Sequence, residues 1–126
     1  MPKTCTVDQA QFRTGAVTVA ATVTLNLETV SATDGFPTET LIAANTTADQ
    51  ASPAANTTYA LALTGTWAAT KGDLFALTLK GAATVNLEIQ ATDFGANALP
   101  VFPYGANLTI ATYGMSENIL AASVRC

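Results

Sequence analysis

The chain has 126 residues and a net charge of −4, and only 11% of its residues are charged. This length predicts a single domain, which is large enough to form a hydrophobic core without disulfides or metal ions. The five basic residues are scattered along the chain, so they form no stripe that could neutralise phosphates. We therefore expect neither nucleic acid nor a membrane surface as a partner.

The first 14 residues, MPKTCTVDQAQFRT, show no strong hydrophobic periodicity. They predict an N-terminal arm over residues 1–14 that contacts a partner, followed by a β-sandwich domain over residues 15–126. The arm lacks the apolar core of a secretory signal, and no apolar run approaches the length of about 18 residues that a membrane span needs. We expect synthesis in a cytoplasm without a signal peptide.

Residues 15–30, GAVTVAATVTLNLETV, alternate between apolar and polar side chains with the period of a β-strand. They predict one unbroken strand, about twice the usual length, in which the small Ala20 and Ala21 would allow a bend. The predicted inner face contains Val17, Val19, Ala21, Val23, Leu25 and Leu27. The opposite face is rich in threonine, and its assembly-interface candidates are Thr18, Thr22 and Thr24.

Six further segments carry strand patterns, with glycine and proline turns between them. They are TYALALTG, DLFALTLKG, ATVNLEIQA and ANLTIATYG, with a weaker pattern in TETLIAAN, and ENILAASVR, whose leucine and alanines also allow a helical turn. The glycines within 71–91 predict a hairpin. The pattern as a whole predicts an all-β, single-domain antiparallel β-sandwich, jelly-roll-like, with an immunoglobulin-like sandwich as the alternative. The predicted core includes Leu25, Leu27, Leu77, Leu79, Leu87 and Ile89.

The segment FGANALPVFPYG, residues 94–105, contains two prolines, which cannot donate hydrogen bonds to an inner ladder. Its apolar side chains must therefore either cap the end of the sandwich or contact another chain. The second interpretation is favoured, because little charge surrounds these apolar side chains. The resulting assembly-interface candidates are Phe94, Leu99, Val101, Phe102 and Tyr104.

The composition argues against catalysis. The chain has no histidine, which removes histidine-based triads and histidine metal sites. Its acidic residues are typical of solvated surface charges, and neither Asp34 with Glu39 nor Asp93 with Asn97 has the ligand spacing of a calcium loop. We predict no enzyme activity, no catalytic residue, no cofactor and no metal.

The two cysteines, Cys5 and Cys126, lie near opposite ends of the sequence. Two alternatives stay open. Both can be free thiols, as expected in a reducing compartment, or they can form a disulfide, within one chain or between neighbouring chains.

The stretch MPKTCTVDQAQFRTGAVTVAATVTLNL combines an arm with a long Thr/Val strand, and an Ala/Thr/Asn-rich sandwich follows it. In this character the chain resembles the small decoration, or cement, proteins of tailed bacteriophage capsids. The resemblance implies a structural virion protein on the outer capsid surface that stabilises the shell by bridging capsid subunits. It also implies the major capsid protein or other shell subunits as partners, and a homo-oligomer, with a trimer favoured over a dimer.

Two alternatives use the same kind of fold. One is a small carbohydrate-binding or adhesin-type module, in which Trp67 and Tyr59 would form a sugar-stacking platform. The other is a pilus or coat subunit. A defined native oligomer would favour a structural subunit, whereas a monomer that binds glycans would favour the module.

Overall fold

The computed structural model of the chain describes residues 1, 3–82, 85–89, 91–93, 118–120 and 122–125. Within these residues the chain forms strands and no helix, and hence no helix long and apolar enough to cross a membrane. Most of the strands build two antiparallel sheets, which confirms the predicted all-β sandwich. The jelly-roll-like and immunoglobulin-like topologies both stay predictions.

Ten strands occur in the described part of the chain. They are β1 (Cys5–Val19), β2 (Val23–Val30), β3 (Pro37–Leu41), β4 (Thr47–Gln50), β5 (Thr58–Ala69), β6 (Ala76–Gly81), β7 (Asn86–Ile89), β8 (Ala91–Asp93), β9 (Asn118–Leu120) and β10 (Ala122–Arg125).

One long strand organises each sheet. In the first sheet, β5 pairs with residues 5–13 of β1 on one side, while β10 pairs with residues 9–12 and β7 with residues 14–19. In the second sheet, β6 pairs with residues 23–28 of β2 on one side, while β4 and β3 share the other. A separate ladder joins β8 to β9.

The N-terminal segment is a core strand, so the prediction of an arm over residues 1–14 is wrong. β1 begins at Cys5, and the side chains of Val7, Phe12 and Thr14 are fully buried. The ladder with β5 shifts register between Val7 and Gln9. Such a bulge changes which residues face inward, so an alternating pattern cannot be followed across it.

The segment 15–30 is two strands and not one. β1 ends at Val19 and β2 begins at Val23, so Ala20 and Ala21 lie in the break between them. The two strands belong to different sheets, and the chain therefore crosses the sandwich at this point. The predicted hairpin over 71–91 is also wrong, because β6 pairs with β2 whereas β7 pairs with β1.

The core lies between the two sheets. Its buried members are Val7, Ala10, Phe12, Leu25, Leu27, Ala48, Leu63, Trp67 and Ala69. Of the predicted core residues, Leu25 and Leu27 are fully buried and Leu77, Leu79 and Leu87 are half-buried, while the side chain of Ile89 lies outside the described part. Val19, predicted to face inward, is 43% exposed at the end of β1.

Gly65 marks a close approach between β5 and the loop that precedes β4. Its N–H donates to the carbonyl oxygen of Asn45 at 2.6 Å, and a Cβ at this position would collide with the carbonyl oxygen of Ala44. A backbone atom cannot move aside as a side-chain tip can. Gly65→Ala is therefore expected to lower the free energy of unfolding by about 1–3 kcal/mol, as overpacking does.

The measurement is urea denaturation of Gly65→Ala beside Thr33→Ala, which alters an exposed residue in the turn after β2. The Thr33 variant is expected within about 0.5 kcal/mol of the wild type. Equal stability of the two variants would contradict the close approach.

Candidate functional site

The outer surface of β5 carries no charge. Its side chains alternate, and the inward set includes Leu61, Leu63 and Trp67. The outward, exposed set, here called the alanine–threonine face, consists of Thr58, Ala60, Ala62, Thr64, Thr66 and Ala68. No charged residue occurs between Asp49 and Lys71, so the face lacks the charged side chains that normally keep protein surfaces apart.

β5 also lies at the edge of its sheet as far as the chain is described, because β1 is the one strand that pairs with it there. The N–H of Gly65 donates to the carbonyl oxygen of Asn45, which lies in a loop. Natural proteins usually protect a long edge strand with lysine, proline or a bulge. β5 has the irregular stretch opposite Val7 and Gln9 but neither lysine nor proline over its 12 residues.

Charged groups lie beside this face, on β1 and β10. Arg13 donates through Nη1 to Thr58 Oγ1 at 3.0 Å. Arg125 binds both carboxylate oxygens of Asp8, with Nη2 at 2.9 Å from each. Both members of this pair are about half exposed, so the pair fixes β10 against β1 geometrically and contributes at most about 1 kcal/mol.

A shallow depression of about 280 Å³ lies beside the Asp8–Arg125 pair. Its lining residues are Gln9, Ala10, Gln11, Val124 and Arg125. None of them is aromatic, and the depression therefore offers no ring on which a sugar could stack.

The outer face of the second sheet carries a second polar arrangement, here called the polar network, formed by Thr24, Asn26, Glu28, Thr47, Asp49, Thr78 and Lys80. Thr24 Oγ1 donates to Asp49 Oδ1 at 2.6 Å. Thr47 Oγ1 donates to Asn26 Oδ1 at 2.7 Å. These bonds join β4 to β2, because the same pairs of residues are register partners in the ladder.

Glu28 is the centre of the polar network, and its side chain is fully buried. Thr78 Oγ1 donates to Glu28 Oε1 at 2.7 Å, and Asn26 Nδ2 donates to the same oxygen at 3.4 Å. The N–H of Glu39 donates to Oε2 at 3.0 Å, and Lys80 Nζ lies 3.5 Å from Oε1. A buried carboxylate requires such compensation, and here it holds β2, β3 and β6 together.

The predicted interface residues on the threonine face of the first strand lie in different surroundings. Thr18 and Thr22 are exposed, at the end of β1 and in the break before β2. Thr24 is half-buried and bonded to Asp49, so it belongs to the polar network. The candidates Phe94, Leu99, Val101, Phe102 and Tyr104, and the calcium candidate Asn97, lie outside the described residues.

Trp67 and Tyr59 do not form the predicted sugar-stacking platform. Trp67 is buried, and its ring packs against Phe75 with centroids 5.5 Å apart. Tyr59 packs against Phe12 at 5.5 Å, and its hydroxyl accepts the N–H of Ala54. Both rings belong to the inward set of β5, so their faces are used within the sandwich.

Among the acidic residues considered as calcium ligands, Asp34 has another partner. The Asp34 carboxylate accepts the N–H of Phe36 at 3.1 Å. This bond, with a further one from the Ser31 side chain, lowers the pKa of Asp34 below its ordinary value. Among the described residues, no three His, Cys, Asp or Glu side chains come together in a way that could hold a metal ion.

Cys5 is disulfide-bonded. The only other cysteine of the sequence is Cys126, which lies outside the described residues. A covalent bond from the start of β1 restricts the unfolded chain, most strongly when the closed loop is long. Cys5→Ser is therefore expected to lower the free energy of unfolding by about 2–4 kcal/mol.

Thermal melts of the wild type with and without reductant, and of Cys5→Ser, test this expectation. Reduction should lower the wild-type Tm to that of the variant and leave the variant unchanged. A wild-type Tm that does not respond to reductant would contradict a stabilising disulfide.

Two of these features escape prediction from sequence. The alanine–threonine face has a signal in the uncharged run between Asp49 and Lys71, but its residues resemble ordinary strand residues. The burial of Glu28 has no local signal, because it depends on Glu39 and Lys80, which are distant in the chain.

Comparison with protein-family models, with curated protein sequences and with solved structures finds no match to the chain. The function therefore has to be argued from the surfaces described above.

Proposed function

We propose that the protein is a structural subunit that self-associates and covers or joins a larger shell through the alanine–threonine face of β5. The observation that carries the proposal is the uncharged outer surface of this 12-residue strand, which lies at the edge of its sheet in the described part of the chain. Small side chains let another sheet or strand approach closely, and threonine hydroxyls can form hydrogen bonds without the cost of burying a charge.

The expected assembly is a homo-oligomer, with a trimer favoured and a dimer as the alternative. By the resemblance stated above, its larger partner is the outer surface of a bacteriophage capsid, bound through the major capsid protein or other shell subunits. The disulfide at Cys5 supports a location outside a reducing cytosol, since disulfides persist at virion and cell surfaces. A pilus or coat subunit would use the same face in the same way.

The carbohydrate-binding or adhesin-type module is the weaker candidate. Its predicted platform, Trp67 with Tyr59, points into the core, and the depression between β1 and β10 has no aromatic lining.

The experiment that tests the proposal places one lysine on the face. In Ala62→Lys the new ammonium lies in the middle of the alanine–threonine face, whereas in the matched control Ala32→Lys it lies in the turn after β2; both alanines are exposed. We expect sedimentation velocity to give a defined oligomer for the wild type and for Ala32→Lys, and monomers for Ala62→Lys. The Tm of the monomer should change little in either variant.

A wild type that sediments as a monomer at every concentration would contradict self-association through this face. An oligomer that persists in Ala62→Lys would place the contact elsewhere on the molecule.

A further inference from the structure

An amine, a carboxamide and a carboxylate meet in the polar network. Lys80 Nζ lies 3.5 Å from Glu28 Oε1, and Asn26 Nδ2 lies 3.4 Å from the same oxygen. The amine and the carboxamide nitrogen therefore flank one oxygen of a carboxylate that is itself fully buried. A base that contacts both a nucleophile and a leaving group is the arrangement that acyl transfer requires.

The register of the sheet brings the two outer groups close to one another. Asn26 is opposite Thr78 on β6, and Lys80 is opposite Thr24 on β2. Asn26 and Lys80 are thus diagonal neighbours on one face of an antiparallel pair, a separation that a long side chain can span.

The carbonyl group of Asn26 is also polarised. Thr47 Oγ1 donates to Asn26 Oδ1 at 2.7 Å, and Thr47 Oγ1 is also 3.2 Å from the carbonyl oxygen of Leu25. A donor held at this oxygen withdraws electron density from Cγ, and it stabilises the negative charge that develops there when a nucleophile attacks.

We propose that Lys80 and Asn26 become joined by an intramolecular amide bond, formed with Glu28 as the proton carrier. Glu28 takes a proton from the Lys80 ammonium, and the neutral amine attacks Cγ of Asn26. The Nζ–Cγ bond forms and the Cγ–Nδ2 bond breaks. Glu28 carries two protons in succession from Nζ to Nδ2, so the leaving group departs as ammonium and the carboxylate is regenerated.

The surroundings favour this direction of reaction. Because the Glu28 side chain is fully buried, water is kept away from its carboxylate, which would otherwise activate that water to hydrolyse the amide. The Lys80 side chain is 45% exposed and so leaves a path by which ammonium escapes. No oxidant or cofactor is consumed. The bond goes beyond the shell function proposed above and does not depend on it, because its atoms all belong to one chain.

Intact mass spectrometry of the full chain, reduced and denatured, tests the proposal. The wild type should be lighter than its sequence by the mass of one ammonia, and Lys80→Arg should have its full sequence mass. Glu28→Gln should also have its full mass, because it lacks the proton carrier. If Glu28→Gln fails to fold, Lys80→Arg alone decides the outcome, since it keeps the positive charge beside Glu28.

Tryptic digestion locates the bond. Trypsin cleaves after Lys71 and Lys80 in the unmodified chain, which separates residues 14–71 from 72–80 and 81–125. In the cross-linked chain Lys80 resists cleavage, and residues 14–71 remain attached to residues 72–125 as one branched peptide.

Two results would overturn the proposal. The first is a wild-type chain of full mass that trypsin cleaves after Lys80. The second is a loss of ammonia that persists in Lys80→Arg, because this would indicate cyclisation of an asparagine onto its own backbone.

Discussion

Replacing Phe12 with alanine is expected to lower the free energy of unfolding by about 3–5 kcal/mol. The ring is fully buried in the middle of β1, where it packs against Tyr59 at a centroid distance of 5.5 Å. Its removal leaves a cavity beneath a strand that pairs with both β5 and β10 at this residue. Urea denaturation followed by tryptophan fluorescence gives the value, since Trp67 is buried in the same core.

The control is Thr6→Ala, an exposed position on the same strand, which should change the stability by no more than about 0.5 kcal/mol. If Phe12→Ala lowers the free energy of unfolding by less than about 1 kcal/mol, the N-terminal segment is an arm outside the core.

Replacing Glu28 with alanine is expected to lower the free energy of unfolding by about 2–5 kcal/mol. The hydroxyl of Thr78 and the N–H of Glu39 would both lose their acceptor in partly buried surroundings, and a donor that is left unpaired away from water costs about 1–3 kcal/mol. The Lys80 ammonium is half exposed and can be hydrated instead. The loss will exceed this range if the Asn26–Lys80 bond forms in the wild type, because the variant would lack it.

Asp8→Ala is the matched control, since it removes a carboxylate from an ion pair that is about half exposed. It should cost at most about 1 kcal/mol. Equal losses in the two variants, measured by thermal and urea denaturation, would contradict the view that Glu28 is a buried structural carboxylate.

The alternation of residues along the chain predicts the fold class and part of the core. It works for β2, where Val23, Leu25 and Leu27 face inward as expected, because that strand has regular ladders with β4 and β6. It fails for β1, where the register shift after Val7 moves the inward positions to Ala10 and Phe12.

The polar network and the alanine–threonine face are harder to predict from the sequence. By its place in the strand, Glu28 shares the outer face with Thr24 and Asn26, and outer-face carboxylates are usually solvated. Only tertiary contacts from β3 and β6 bury it. The alanine–threonine face is hard to predict for a different reason: its meaning depends on β5 lying at the edge of the described part of its sheet, which is a property of the sheet order and not of the strand's own residues.

The central position of β1 has a consequence for how the protein is made. Its pairing partner β10 lies at residues 122–125, so β1 cannot complete its sheet until those distant residues have been synthesised. Pairings between such distant residues make folding slow. During that interval the uncharged stretch between Asp49 and Lys71 has no like-charge repulsion to keep nascent chains apart. We expect the yield of folded protein to depend on chaperones and on the rate of synthesis, far more than its stability once folded would suggest.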